Sequence, residues 1–174
     1  MGSYWYGKED VCNWIRMRFP ANATVLDVGA CDGLWRRILP EYTNMDAVEA
    51  FLPNMSRLTG YRALYNADIR TFQYEWYDLI IFGDVIEHLT VSEAQDVLAY
   101  AKPRCKDMII AVPWLYVQGA IYDNPFEVHV QDDLTADLFA ERYPGYEILC
   151  DPGHGYCYYH KGSEDRTDPD PCIS

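Results

Sequence analysis

Residues 25–35, VLDVGACDGLW, put a carboxylate at the end of a short apolar run and follow it with a glycine-bearing turn. Asp27 ends the expected strand, and Gly29 and Gly33 line a tight turn into a helix. Glycine there lets backbone approach a ligand, and the helix N-terminus offers N–H groups without internal partners. The order Gly29-Ala30-Cys31-Asp32-Gly33-Leu34 breaks the G-x-G-x-x-G spacing of a nicotinamide site. A second carboxylate, Glu49, closes the next apolar run in MDAVEAF. At that place it can accept both ribose hydroxyls of an adenosine ligand. Asn66-Ala67-Asp68-Ile69 follows the third run. Asp68 can accept from an adenine amino group, and Ile69 can pack on the ring. Gly83-Asp84 follows the fourth run, at the carboxyl edge where open α/β sheets bind ligands.

Another group has the chemistry of proton or cation handling. Asp84, Glu87 and His88 share one short segment, and NPFEVHVQDDL supplies Glu127 and His129 downstream. Imidazole titrates near neutrality and suits proton transfer. Carboxylates with imidazoles also suit Mg²⁺, Mn²⁺ or Zn²⁺, which would acidify an acceptor hydroxyl. His88, His129 and Glu87 are the candidate catalytic residues; no residue is assigned to a metal. A structural role for the histidines, orienting loops or capping the next helix, stays open.

These segments together are similar to class I S-adenosylmethionine-dependent methyltransferases. VLDVGACDG resembles their motif I, AVEAF their ribose-binding strand end, NADI their adenine-binding loop and YDLIIFGDVIEHL their motif IV. The resemblance covers roughly residues 8–160. DVIEHL is similar to the subgroup that includes ubiquinone-pathway O-methyltransferases and many small-molecule and glycan enzymes. Cys31 departs from the family, which often has glycine there. The resemblance implies S-adenosyl-L-methionine as cofactor, held by Asp27, Gly29, Ala30, Cys31, Gly33, Glu49, Ala50, Asp68, Ile69, Gly83 and Asp84. It implies methyl transfer to an oxygen or nitrogen of a small-molecule or glycan-type acceptor. In small-RNA 2′-O-methyltransferases a similar acid-x-x-Glu-His segment and a later histidine bind a divalent cation. Metal-assisted methylation of an RNA end is therefore one alternative. An inactive cofactor-binding partner subunit is another.

The elements that must position these residues alternate between strand and helix. A helical period over 8–19 stops at Pro20. Strands follow at Thr24–Val28, Met45–Glu49, Ala63–Tyr65, Tyr77–Phe82 and Met108–Val112. Helices are expected at Gly33–Leu39, over two turns ending near Gly60, after the Thr90/Glu93 capping box, and from Asp132 or Asp133. Tyr146–Cys150 and Tyr156–His160 flank the turn Asp151-Pro152-Gly153 with no helix between them, so they form a hairpin. This predicts an α/β fold, a Rossmann-like three-layer sandwich. Its mostly parallel seven-stranded sheet ends in an antiparallel hairpin. Residues 1–160 form one domain, with a helical cap over 1–20, an acceptor-side insert over 113–131 and a polar tail over 161–174. Trp5, Tyr6, Trp114, Tyr116 and Tyr122 are expected above the sheet edge, where an acceptor would sit.

Composition limits the partners. At 49% hydrophobic and 24% charged, the 174 residues are ordinary for a globular domain. The net charge of −13 lacks the basic stripe of a duplex-binding protein. There is no apolar run long enough to span a bilayer and no apolar core for a signal peptide near the N-terminus, so a cytoplasmic location is expected. The cysteines show no C-x-x-C and are expected to be small core residues rather than disulfides. Oligomeric state is left open.

Overall fold

The computed structural model describes residues 5–121 and 123–162. Its strands are β1 (Val25–Val28), β2 (Met45–Glu49), β3 (Leu64–Asn66), β4 (Tyr77–Gly83), β5 (Cys105–Pro113), β6 (Glu147–Cys150) and β7 (Tyr156–Gly162). They form one sheet in the order β3-β2-β1-β4-β5-β7-β6. The first five are mutually parallel, whereas β7 runs antiparallel to both β5 and β6. The expected terminal hairpin is therefore present, with its second strand inserted between β5 and β6.

Every residue of β1 and β2 is buried, the carboxylates Asp27, Asp46 and Glu49 along with the apolar side chains. The period of two divides the side chains between two cores. Leu26, Val28, Ile80, Phe82, Met108 and Ile110 meet helices α3 (Val91–Ala101) and α4 (Ala136–Arg142) through Ala94, Leu98 and Phe139. Val25, Leu79, Ile81 and Ile109 meet α1 (Lys8–Arg18) and α2 (Leu34–Ile38) through Val11, Ile15 and Trp35. Three layers result.

The capping box closes as expected: Glu93 N donates to Thr90 Oγ1 and Thr90 N to Glu93 Oε2. Other boundaries move for local reasons. The helix expected before Gly60 is a 3-10 segment, Leu52–Arg57, with proline in its first turn. Helix α4 starts later than Asp133, because Thr135 is the residue whose side chain accepts from Leu138 N. Strand β7 runs to Gly162, two residues into the expected tail, because Lys161 and Gly162 still pair with Met108 and Asp107. Residues 163–174 lie outside the described residues.

One polar device sits inside this apolar frame. Asp46 of β2 is buried, takes two hydrogen bonds from Arg62 at 2.8 and 2.6 Å, and accepts a third from Tyr77 at 3.0 Å. Removing the cation leaves a buried carboxylate with one neutral donor. Arg62→Met should therefore cost about 3 kcal/mol in denaturant unfolding. Arg16→Met, which opens the half-exposed pair with Glu41, should cost about 1 kcal/mol or less. Equal losses would show that the Asp46 pair is not the internal anchor its burial implies.

Candidate active site

The carboxyl edge of the parallel strands carries a pocket of about 340 Å³. Eight of the sequence-predicted residues line it: Gly29, Cys31, Glu49, Ala50, Asp68, Ile69, Gly83 and Asp84. His88 lines it as well. Asp27, Ala30 and Gly33 do not. Ala30 is buried with Ala47 and Leu58, and Gly33 is the left-handed N-cap of α2.

The turn after β1 is built from left-handed backbone. Gly29 has φ +67°, and a Cβ there would meet Val85 Cγ2 at 2.5 Å. Cys31 also lies at φ +50°, the region that favours glycine. Its amide donates to Glu49 Oε2 at 2.8 Å, while Phe51 N donates to Oε1 at 2.7 Å. Burial raises the Glu49 pKa, and these two amides pull it back. The carboxylate that ends β2 is thus held rigidly at the rim of the pocket.

Asp27 is fully enclosed. One oxygen accepts from Tyr61 OH at 2.5 Å; the other has no hydrogen-bond partner among the described residues. Burial pushes its pKa up to about 7, against the Tyr61 bond and the nearby Lys8 charge. Lys8 is itself 1% exposed, with its Nζ 4.4 Å from the Trp35 ring and 3.4 Å from Tyr158 OH. Asp84 stands at φ +57° and accepts from Tyr156 OH at 2.5 Å; its other oxygen is buried without a partner among the described residues. Asp68 departs from a free acceptor, since Arg70 binds it at 2.5 Å and also reaches Glu93. That salt bridge holds the Asp68 pKa below its usual value.

The histidines converge. The rings of His88 and His129 are 4.7 Å apart, and ligand atoms of Glu87, His88 and His129 all lie within 4.8 Å of one another. His88 Nδ1 faces Val128 O at 3.2 Å and His129 Nδ1 faces Tyr116 O at 2.7 Å. A carbonyl can only accept, so Nδ1 is the donor in each ring, and in the neutral imidazole that tautomer leaves the lone pair on Nε2. Burial, with His129 alongside, lowers the His88 pKa to about 4. Glu87 is 0% exposed, and neither carboxylate oxygen has a partner among the described residues. Burial first, then the neighbouring Asp84, holds its pKa well above the carboxylate range. Asp84 stays with Tyr156 and does not join the three.

Several residues of the site carry no strong sequence signal. Gln131 is buried and donates to Ile86 O and Leu89 O, clamping the turn that presents Glu87 and His88. Arg70, Asn124 and Phe126 close the front of the pocket, together with the expected Glu127. The Asn124-Pro125 pair was the available clue: Asn124 Oδ1 accepts from Phe126 N at 3.0 Å, an Asx-type turn. Of the expected aromatic residues, Tyr116 meets the site, edge-on to His129 at 5.5 Å. Trp5 and Tyr6 lie elsewhere, with Tyr6 stacked on His154. Trp114 packs against the core, and Tyr122 lies outside the described residues.

The raised Asp27 pKa gives a linkage test. Its folded value exceeds its unfolded one, so the stability it contributes is present below about pH 4 and is lost as pH rises through 7. Asp27→Asn should reduce the fall in unfolding free energy between pH 5 and 7 by up to roughly 1.4 kcal/mol per pH unit. Parallel curves for variant and wild type would show that Asp27 is ionised throughout.

No family model matches the chain, and no curated protein does so either. Solved structures match well. A S-adenosylmethionine-dependent methyltransferase from Clostridium acetobutylicum aligns with TM-score 0.66 at 11% identity, covering 93% of each chain. The sugar N-methyltransferase KedS8 from Streptoalloteichus aligns with TM-score 0.64 at 13% identity, covering 91% of this chain and 88% of that one. The methyltransferase domain of bacterial CtHen1-CN aligns with TM-score 0.63 at 17% identity, covering 91% and 98%. Other matches are longer proteins, of which this chain spans 49% and 56%. Some of the similar structures hold S-adenosylmethionine or S-adenosylhomocysteine. The chain has the Rossmann-like fold of S-adenosylmethionine-dependent methyltransferases.

Proposed function

We propose that this protein is an S-adenosylmethionine-dependent methyltransferase acting on an oxygen or nitrogen of a small-molecule or glycan-type acceptor. The observation that carries the reading is the pocket itself. Glu49 at the end of β2, Asp68 and Ile69 just after β3, and Gly83-Asp84 at the close of β4 line one cavity beside the Gly29 turn. Its volume suits a small-molecule ligand. The residues fit the cofactor on structural grounds. Asp84 brings a buried oxygen without a partner among the described residues, and the lining is rich in carboxylate, which suits a cationic, hydroxyl-bearing ligand.

The cofactor would supply an electrophilic methyl group on a sulfonium. The chain's own work is then to hold, align and exclude water. Glu49 would take the ribose hydroxyls, Asp68 and Ile69 the adenine, and the Gly29–Cys31 turn would lie against the amino-acid end. The 124–127 segment covers the front. An acceptor would enter beside the insert over 113–131, where His88 Nε2 can take a proton from a hydroxyl or ammonium. The low His88 pKa keeps that nitrogen unprotonated at neutral pH.

Calorimetric titration with S-adenosylhomocysteine tests the reading. Micromolar binding or tighter is expected, weakened ten- to a hundredfold in Glu49→Ala, about 1.5–3 kcal/mol for a lost charge-assisted partner. Unchanged affinity in that variant removes the ribose assignment.

A second reading, metal-assisted methylation of an RNA end, is favoured by the Glu87, His88 and His129 cluster. A buried carboxylate without partners beside two imidazoles whose Nδ1 groups are held by carbonyls is the donor set of a divalent-cation site. Those three side chains would hold the cation, which would acidify an acceptor hydroxyl. Mn²⁺ titration should then show one site in the wild type and none in His129→Ala, and methyl transfer should stop in chelator. Full transfer in chelator favours proton transfer by His88 instead.

A further inference from the structure

The chain's lysines are Lys8, Lys102, Lys106 and Lys161. Lys8 is buried under the site described above. The other three line a single groove of about 730 Å³ on the opposite edge of the sheet. The groove opens where β4 and β5 begin, beside Trp76 and Cys105, and Lys161 brings the end of β7, which closes at Gly162, to the same place. Arg142 adds a fourth cation, although Asp133 holds it at 2.5 Å. The chain carries 27 carboxylate side chains against 14 Lys and Arg, yet among the described residues none that lines this groove is acidic. So local a reversal of sign makes an attractive field for anions along the groove.

The groove has an aromatic wall too. Trp76 is 58% exposed at its mouth, and Lys161 Nζ lies 5.1 Å from the Tyr146 ring. Lys102 Nζ reaches Lys161 O at 3.4 Å, which brings two of the lysines to one end of the cleft. Lysine ammonium groups bind phosphate as point charges, and an exposed indole offers a stacking face for a planar ring. The volume lies in the range of small-molecule sites.

We propose that this groove is a second ligand site, for a nucleotide-sized polyphosphate. Lys106 and Lys161, flanked by Lys102, meet the phosphates, and Trp76 covers the base. The assignment is independent of the methyl-transfer reading, since the two sites lie on opposite edges of the sheet.

Inorganic tripolyphosphate and ATP are the probes, titrated calorimetrically into the full chain at low salt. Excess S-adenosylhomocysteine keeps the adenosine pocket from competing. Both probes should bind saturably, and tripolyphosphate affinity should fall at least tenfold in Lys106→Gln/Lys161→Gln. An unfolding midpoint equal to that of the wild type certifies that this variant folds, and single variants replace it if it does not. Trp76→Ala should weaken ATP severalfold and leave tripolyphosphate unchanged. Absence of saturable binding at millimolar probe overturns the proposal, as does equal affinity in the lysine variants. ATP binding indifferent to Trp76→Ala overturns the nucleotide assignment and leaves a bare polyphosphate site.

Discussion

Burial of carboxyl groups at one edge of a sheet is the constraint on which the rest of this structure depends. Asp27, Glu49 and Glu87 are all buried there, and Asp84 adds a buried oxygen. Each loses its hydration, and desolvation is the first cause of the raised pKa of Asp27, Glu49 and Glu87. The fold answers with individual donors. Tyr61 serves Asp27, Tyr156 serves Asp84, and two backbone amides serve Glu49. Lys8 lies beneath as a buried cation, its own pKa lowered by burial and raised in part by Asp84 and Asp27. Glu87 gets no such donor among the described residues. An edge held this way is prepared for a ligand that brings hydroxyls or positive charge.

The sheet order explains why the charges meet. Strand β1 lies centrally, with β2 on one side and β4 on the other, so the connections diverge from it. A crevice opens at that switch point, outside the carboxyl ends of the strands. Strict parallel register then puts the ends of β1, β2 and β4 at one level: Val28 pairs with Val48 and with Phe82. The left-handed residues Gly29, Cys31 and Asp84 turn the chain away sharply there and leave space for a ligand. Glycine is also required at position 83, where a Cβ would meet Trp35 Nε1 at 2.4 Å.

Much of this was legible because it is local. Apolar runs ending in Asp27, Glu49 and Asp84 announce buried strands with polar ends, and Thr90 with Glu93 announces a helix start. The alternating order of elements then limits the topology, and the turn at Asp151–Gly153 requires the closing hairpin. Long-range polar contacts were not legible. No periodicity says that Lys8 lies under the site, that Tyr156 from the last strand reaches Asp84, or that Gln131 clamps the turn before α3. Arg70 engaging Asp68 was likewise hidden, because a residue two positions away faces the same carboxylate only in this loop conformation. The insertion of β7 between β5 and β6 is also a choice of packing, made by faces such as Tyr159, whose ring stacks on Phe139 at 3.6 Å.

The central claim is that the carboxyl-edge pocket is an adenosine-cofactor site with Glu49 as its ribose acceptor. A crystal structure of the protein with S-adenosylhomocysteine tests it most directly. The account predicts the nucleoside in the cavity between Gly29 and Asp68, with both ribose hydroxyls donating to the Glu49 carboxylate. A ligand bound elsewhere, or one in this cavity with its ribose turned away from Glu49, would contradict it.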